Sequence, residues 1–313
     1  MTSINPVEAP ATASTGARMV ERQDRPDMLD VLRAKSAAYD AAQRWYSAEV
    51  GFTVAAPLIL AACNIAFPQM TNAVLVYNAL AAATYLLVLH RLQRKRGALG
   101  ATLQEWFDCT VFDLAWRGDR AGPTPAPETI RRWAHRHPAA TGLRHWYPRI
   151  VERLPLPAAV IVCHRANGTW SMTVRERYAR ALRLAACAIV LVIVVIAMIR
   201  STTVIDTFRW GGTVSAPLLW LYSESWRQDS VASDAEGARR CADGLWQRML
   251  QGQPAGAFAP EIRELQNDVF SLRKRAPQLL PWAYRAFRDQ DEREMNAIAV
   301  TLVEEYLAAT PPS

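Results

Sequence analysis

A long uncharged stretch begins at Val50 and ends at His90. It contains no Asp, Glu, Lys or Arg, although 21% of all residues in the chain are charged. A helix crosses a hydrocarbon core of ~30 Å with about 20 apolar residues, so this stretch is long enough for two crossings. The turn-forming sequence FPQMTN, from Phe67 to Asn72, lies at its middle. The sequence therefore predicts a transmembrane helical hairpin, with spans at about 50–66 and 73–89.

A second apolar stretch predicts a third span. Leu184–Ile199 is apolar throughout and lies between Arg183 and Arg200, whose side chains can reach outward to the headgroups. The segment Trp210–Tyr222 is a weaker candidate for a fourth span, because it contains two glycines, a serine and a proline. Hydropathy alone leaves the number of spans at three or four.

The basic residues predict the orientation of the spans. Four of them follow the first hairpin within 91–96 and four precede the third span within 175–183, whereas the link inside the hairpin has none. The positive-inside rule therefore places 91–183 in the cytoplasm. A fourth span would return the charged tail to the same side, whereas three spans would require its export. We therefore expect a mainly α-helical, multi-pass protein with four transmembrane helices in two hairpins and both termini cytoplasmic.

The pattern along the chain predicts six regions and no cleaved signal peptide. Asp24 is expected to cap the first amphipathic helix, and Ala158–Cys163 is consistent with either a strand or a buried helix. The regions are a disordered N-terminus (1–23), a cytoplasmic amphipathic helix (24–49), the first hairpin (50–90), a cytoplasmic middle domain (91–183), the second hairpin (184–223) and a helical cytoplasmic tail (224–313).

Composition and motifs argue against several function classes. The net charge of +7 suits contact with anionic headgroups or, alternatively, a phosphate-bearing ligand. The five cysteines lack the C-x-x-C pairing of disulfide or zinc frameworks. Phosphate-binding glycine loops, zinc-protease motifs and serine-hydrolase motifs are absent from the sequence. We therefore expect no enzymatic activity, no cofactor, no metal site and no DNA or RNA polymer as partner.

Polar residues inside the predicted spans have two interpretations. Asn64, Asn78 and Thr84 are expected to form hydrogen bonds between helices, because an amide in hydrocarbon needs a partner; the alternative is that they line a pore. Thr213 and Ser215 lie on the small, polar face of the fourth span, which is the better candidate for a water-lined wall. Four helices do not enclose a useful lumen by themselves, so conduction would require a homo-oligomer.

Several aromatic and charged strings resemble those of a known family. They are ERQDR at Glu21–Arg25, WFDCTVFDLAW at Trp106–Trp116, WYP at Trp146–Pro148, CHRANGTW at Cys163–Trp170 followed by RERY, LQNDVFSLR at Leu265–Arg273, and PWAYR at Pro281–Arg285 with a later E-x-x-M ending at Met295. Their order around four spans resembles the bacterial four-transmembrane effectors that accompany SMODS-type cyclic-oligonucleotide synthases in anti-phage defence.

This resemblance implies a pore-forming effector of the bacterial inner membrane. Such a protein would sense a cyclic nucleotide made on infection and would then permeabilise the lipid bilayer as a homo-oligomer. A nucleotide site needs guanidinium groups for phosphate and an aromatic face for a base. The segment before the third span offers such groups, and its candidate ligand-binding residues are His164, Arg165, Asn167, Trp170 and Arg175.

Other interpretations stay open for these residues and for the function. Arg165 and Arg175 could instead pair with Asp108 or Asp113, and Trp170 could anchor the chain at the membrane interface. The whole protein could be a non-conducting membrane-anchored scaffold or accessory subunit that recruits a cytoplasmic partner. An integral-membrane enzyme is the weakest of the three functional hypotheses, because the motifs above are absent.

Overall fold

The computed structural model describes residues 15–137, 142–201 and 203–310, without the side chains at 284 and 287–292. These residues form helices and no strands, which confirms the mainly α-helical class. The helices are α1 (Gly16–Gln23), α2 (Pro26–Ala66), α3 (Pro68–Phe112), α4 (Gly118–Ala121), α5 (Pro127–Ala134), α6 (Leu156–Ile199), α7 (Val204–Leu250), α8 (Ala259–Arg275) and α9 (Pro281–Ala309).

Four of these helices are unusually long, because each predicted span continues into a helix outside the apolar region. Among the described residues, α2, α3 and α6 are long and apolar enough to cross a membrane. α7 does not belong to that set, because its first residues combine two charges with glycines, a serine and a proline and are less apolar than the other three. The membrane character of the chain is therefore confirmed, and the fourth span stays a prediction.

Turns of π-helix interrupt both arms of the first hairpin. Gly51–Ala55 lies within α2 and Tyr85–Leu89 lies within α3. A π-turn inserts one residue into the α-helical register, and such turns occur frequently at functional sites. Because the two arms run antiparallel, both interruptions lie at the same end of the hairpin, next to the helical body.

The helical body, which we define as the described chain outside the apolar segments, has one large hydrophobic core. Leu32 of α2, Phe107 of α3, Ile161 of α6 and Trp246 of α7 are all buried there. The last helices close this core with side chains such as Ile262. The middle region and the tail therefore share one core.

The run Ala158–Cys163 belongs to α6 and is buried along its whole length. Of the two alternatives for this run, the buried helix is the observed one. Because neighbouring helices surround it on all sides, it lacks the one-sided periodicity that would have identified a helix in the sequence.

Two expectations about the N-terminal region were wrong. The predicted disorder of 1–23 is wrong for α1, which is a helix whose Met19 and Val20 are buried in the core; residues 1–14 lie outside the described ones. The N-cap position of α2 is occupied by Arg25, not Asp24. Asp24 instead accepts a 2.9 Å hydrogen bond from the backbone N–H of His145, which ties α1 to a distant loop.

Candidate functional site

The five predicted ligand-binding residues do not form one site. His164 is buried, with its ring 5.3 Å from that of Phe112, and its two nitrogens have no hydrogen-bond partner among the described residues. Burial lowers the pKa of His164 to about 3, so the ring is neutral. Arg165, the next residue, lies on another face of α6 and pairs with Asp243 of α7.

The remaining three candidates serve packing between helices. Arg175 donates hydrogen bonds to Gln228 Oε1 at 2.6 Å and to the carbonyl of Pro277 at 3.0 Å. Trp170 packs on a small apolar cluster near the membrane, and the buried Nδ2 of Asn167 has no partner in the described part of the chain. The five residues therefore have separate surroundings, and their role in ligand binding stays a prediction.

The alternative pairing of Arg165 and Arg175 with Asp108 or Asp113 was also wrong. Asp108 pairs with Arg273, and Asp113 lies 3.3 Å from Arg22. The alternative had the right kind of interaction, since both arginines bind polar groups of the protein, but helix packing brings different partners to them.

Two of the polar residues inside the spans form the expected contacts between helices. Asn78 Nδ2 donates a 2.8 Å hydrogen bond to the carbonyl of Thr213, which joins the first hairpin to α7. Asn64 accepts a 3.0 Å bond from Thr71 across the hairpin turn. Thr84 and Ser215 instead donate to carbonyls of their own helices, so the expectation for Thr84 was wrong.

The helical body contains a polar group of residues that we call the body network. Its members are Glu105, Asp108, Tyr147, Arg263, Gln266 and Arg273. Arg263 donates to Glu105 at 2.7 Å, and the hydroxyl of Tyr147 donates to Asp108 at 2.7 Å. Gln266 bridges both carboxylates. The network therefore joins α3, α8 and the loop before α6 through charge-assisted hydrogen bonds.

Burial and the charge of Asp108 shift pKa values in this network, in opposite directions for Arg273 and in the same direction for Tyr147. Burial disfavours the charged form of Arg273, but the adjacent Asp108 carboxylate outweighs it and raises the pKa of this guanidinium above its usual range. Burial and then the charge of Asp108 raise the pKa of Tyr147 well above 10, which keeps its hydroxyl protonated as a donor. The guanidinium of Arg273 and the hydroxyl of Tyr147 therefore both keep their protons and remain donors to Asp108.

A second polar group lies where the spans meet the helical body, and we call it the boundary network. Its members are Tyr46, Glu49, Arg175, Tyr178, Trp220, Glu224 and Gln228. The hydroxyl of Tyr46 lies 3.0 Å from that of Tyr178 and donates to Glu224 at 3.0 Å. Trp220 Nε1 donates to Glu49 at 2.9 Å. These bonds join α2, α6 and α7 at a single level.

A short connector between α8 and α9 joins the two networks. Arg273 of the body network lies in the last turn of α8. A few residues later, the carbonyl of Pro277 accepts from Arg175, and the carbonyl of Gln278 accepts a 3.0 Å bond from Gln228. A displacement of α8 would therefore reach the boundary network through hydrogen bonds of the connector backbone.

Two surface clefts accompany these networks. The N-terminal cleft, of about 540 Å³, lies between α1 and the end of α3 and is lined by residues including Arg22, Arg25, Trp106, Cys109, Asp113 and Trp116. The C-terminal cleft, of about 510 Å³, lies among α6, α7 and α9 and is lined by residues including Arg165, Asp243, Trp246, Ile298 and Glu305. Both volumes lie in the range of small-molecule sites. No cluster of three His, Cys, Asp or Glu suited to a metal ion occurs among the described residues.

Comparison with known proteins decides the family. Residues 17–302 match the SMODS-associating 4TM effector domain. The chain belongs to this family. It is also 18% identical over 299 residues to a Bacillus cereus (strain VD146) protein named probable CBASS effector molecule, covering 91% of this chain and 98% of the relative. No solved structure matches the chain.

Four of the six strings that carry the family resemblance meet in or beside the body network of this SMODS-associating effector. Asp108, Tyr147 and Arg273 come from three separate strings, and Gln23 from a fourth bonds both backbone groups of Tyr147. Sequence reasoning missed their convergence and also missed Glu49 and Glu224. An acidic residue directly beside each of two predicted spans was the available signal, because such a charge needs a partner if it is buried.

Proposed function

We propose that this protein is a membrane effector of CBASS anti-phage defence that is activated by a cyclic oligonucleotide and oligomerises into a pore. Membership of the effector family and the similarity to a protein named as a CBASS effector support the defence role. Three helices with the length and composition of membrane spans support action at the inner membrane.

The packing of α7 supports a fourth span. α6 ends at Ile199 and α7 begins at Val204, so the start of α7 runs back alongside the apolar end of α6. The bond from Asn78 to Thr213 and the bond from Trp220 to Glu49 place α7 beside the first hairpin at two depths. With four spans, both termini lie in the cytoplasm, in agreement with the positive-inside rule.

The packing of the spans gives little support for a water-filled lumen inside a single copy of the protein. Thr213, on the face expected to be water-lined, is buried against the first hairpin. Meanwhile, the apolar part of α6 is largely exposed, with large side chains such as Leu191 and Met198 uncovered. In the proposed function this exposed face contacts lipid and other copies, and the pore forms between copies.

One observation carries the gating part of the proposal. α2, α3, α6 and α7 each continue from the packed helical body into the membrane region, with a π-helical turn at that level in α2 and in α3, and the boundary network joins three of them at the point of entry. Helices that continue from one compartment into the other can transmit a small displacement in the body to the spans.

Leakage from liposomes tests this function. Purified protein is reconstituted into dye-loaded liposomes and challenged with cyclic di-AMP, cyclic di-GMP, cyclic GMP-AMP and cyclic tri-AMP, with linear dinucleotides as controls. Release of dye by one cyclic compound alone is the expected result. Tight binding of a cyclic compound without any release would instead favour the non-conducting scaffold.

A matched pair of variants on α6 tests the coupling. Arg175→Met removes both bonds to Gln228 and to the connector, whereas Arg180→Met removes only a bond to a carbonyl of its own helix. We expect Arg175→Met to retain nucleotide binding and to lose nucleotide-dependent release, and Arg180→Met to behave as the unmodified protein. Equal release by the two variants would contradict the coupling.

A further inference from the structure

The N-terminal cleft combines the two chemical groups that a nucleotide requires. Arg22 and Arg25 supply guanidinium groups at one side, and Trp106 and Trp116 supply aromatic surface at the other, with their rings 5.5 Å apart and nearly perpendicular. Guanidinium groups bind phosphate by paired hydrogen bonds, and tryptophan rings stack on bases of any type. Both tryptophans are only partly buried, so their rings are accessible from the cleft.

The number of guanidinium groups favours this cleft over the other for an anion. The N-terminal cleft is lined by Arg22 and Arg25, whose charges are balanced by Asp113 and Asp27. The C-terminal cleft is lined by one arginine together with two carboxylates. A ligand with two or three phosphodiester groups therefore meets two guanidinium groups in the first cleft and one in the second.

The cleft arginines are held by exchangeable partners. Arg22 lies 3.3 Å from Asp113, whose side chain is about half exposed. Arg25 pairs at 2.8 Å with Asp27, and both of these side chains are about half exposed. Ion pairs between exposed side chains contribute little, so a phosphate can replace either carboxylate as the partner.

The floor of the cleft is bonded directly to the body network. Arg263 donates to the carbonyl of Ala115 at 3.0 Å and to Cys109 Sγ at 3.1 Å, and both of these residues line the cleft. The same guanidinium donates to Glu105 at 2.7 Å. A ligand that moves the end of α3 therefore changes contacts of α8, which leads to the connector and the boundary network.

We propose that the N-terminal cleft binds the activating cyclic oligonucleotide, with Arg22 and Arg25 on phosphate and Trp106 and Trp116 on a base. This inference rests on the proposed function for the identity of the ligand. The carboxylate of Asp113 competes with the ligand for Arg22. It pairs with Arg22 when no ligand is bound, and phosphate displaces it. Its φ of +60° lies in the left-handed region, which Asn tolerates as well as Asp does.

Equilibrium binding of radiolabelled cyclic di-AMP, cyclic di-GMP, cyclic GMP-AMP and cyclic tri-AMP to the purified full-length protein tests the site. Arg25→Gln should weaken binding of the active compound about tenfold, because it removes a charge-assisted contact to phosphate. Asp113→Asn should tighten binding about threefold, because it removes the competing carboxylate without changing the turn. Arg240→Gln, which removes an exposed ion pair outside both clefts, is the matched control and should bind as the unmodified protein does.

The two cleft variants are expected to change the binding affinity in opposite directions. Misfolding does not explain such a result, because an unfolded protein does not bind more tightly. Unchanged binding by both Arg25→Gln and Asp113→Asn would overturn the site and leave the proposed function intact. Failure of the unmodified protein both to bind any of the four compounds and to release dye would overturn the proposed function and the site with it.

Discussion

Arg273 and Arg275 lie two residues apart at the end of α8, and their replacement by methionine should have very different consequences. Arg273 pairs with Asp108, whose side chain is fully buried, whereas Arg275 pairs with Asp234 at 2.8 Å on the surface. Arg273→Met leaves the Asp108 carboxylate buried without its cationic partner. Arg275→Met removes an interaction between two exposed groups.

The structure gives the size of each effect. Removal of one partner from a buried ion pair costs about 3–5 kcal/mol. Asp108 keeps its bonds from Tyr147 and Gln266, so we expect the lower end, about 3 kcal/mol, for Arg273→Met. An exposed pair contributes about 0–1 kcal/mol, which is the expectation for Arg275→Met. At about 1.5 °C per kcal/mol for a chain of 313 residues, Arg273→Met should lower the Tm by about 4–5 °C.

Thermal unfolding of the purified protein in detergent measures both variants under identical conditions. A double variant that also carries Asp108→Leu should recover part of the loss, because the unpaired buried charge is then removed. Equal Tm values for the two arginine variants would refute the reasoning, since the body network would then contribute no more than a surface ion pair.

Three further predictions concern single contacts, each measured by unfolding. Asn78→Leu should cost about 0.6–2 kcal/mol by removing the bond to α7, whereas Thr84→Ala, which loses a bond within its own helix, should cost less. Gly100→Ala should destabilise by about 1–3 kcal/mol, because the new Cβ would lie 3.0 Å from an aromatic ring. Gly237→Ala has open space around it and should instead stabilise by up to about 1 kcal/mol. The pKa of His164 is lowered to about 3 in the folded protein, so below the ordinary pKa of about 6.5 the unfolded chain binds one proton more than the folded one. Acidification from pH 7 to 5 should therefore lower the free energy of unfolding by about 2 kcal/mol, and His164→Leu should not show this loss. An equal pH dependence in His164→Leu, or the same sign for both glycine variants, would contradict these expectations.

Hydropathy was sufficient to predict the membrane helices because spans depend on composition over about 20 residues and not on the rest of the fold. The first hairpin and the third span follow the predicted segments, and the tail is helical as expected. The sequence also predicted that Asn78 bonds to another helix, although not which one, because an amide in an apolar segment needs a partner wherever it lies.

The contacts of the candidate binding residues were not predictable in the same way. His164, Arg165 and Arg175 lie close in sequence, but a helix turns about 100° per residue and directs them to the core, to α7 and to the connector. The N-terminal cleft depends on two segments that are far apart in the chain, and the order of the sequence gives no measure of their distance. Which side chains pair with each other inside the helical body depends on the tertiary packing of the helices.

The central claim is that a cyclic oligonucleotide opens a pore in the membrane. The most direct measurement is the current across a planar bilayer that contains the purified protein, recorded before and after addition of the cyclic compound that the protein binds. We predict a silent bilayer without the compound and discrete conductance steps after its addition, with the steps lost in Arg25→Gln at the same concentration. A bilayer that stays silent while the compound is bound would contradict the claim.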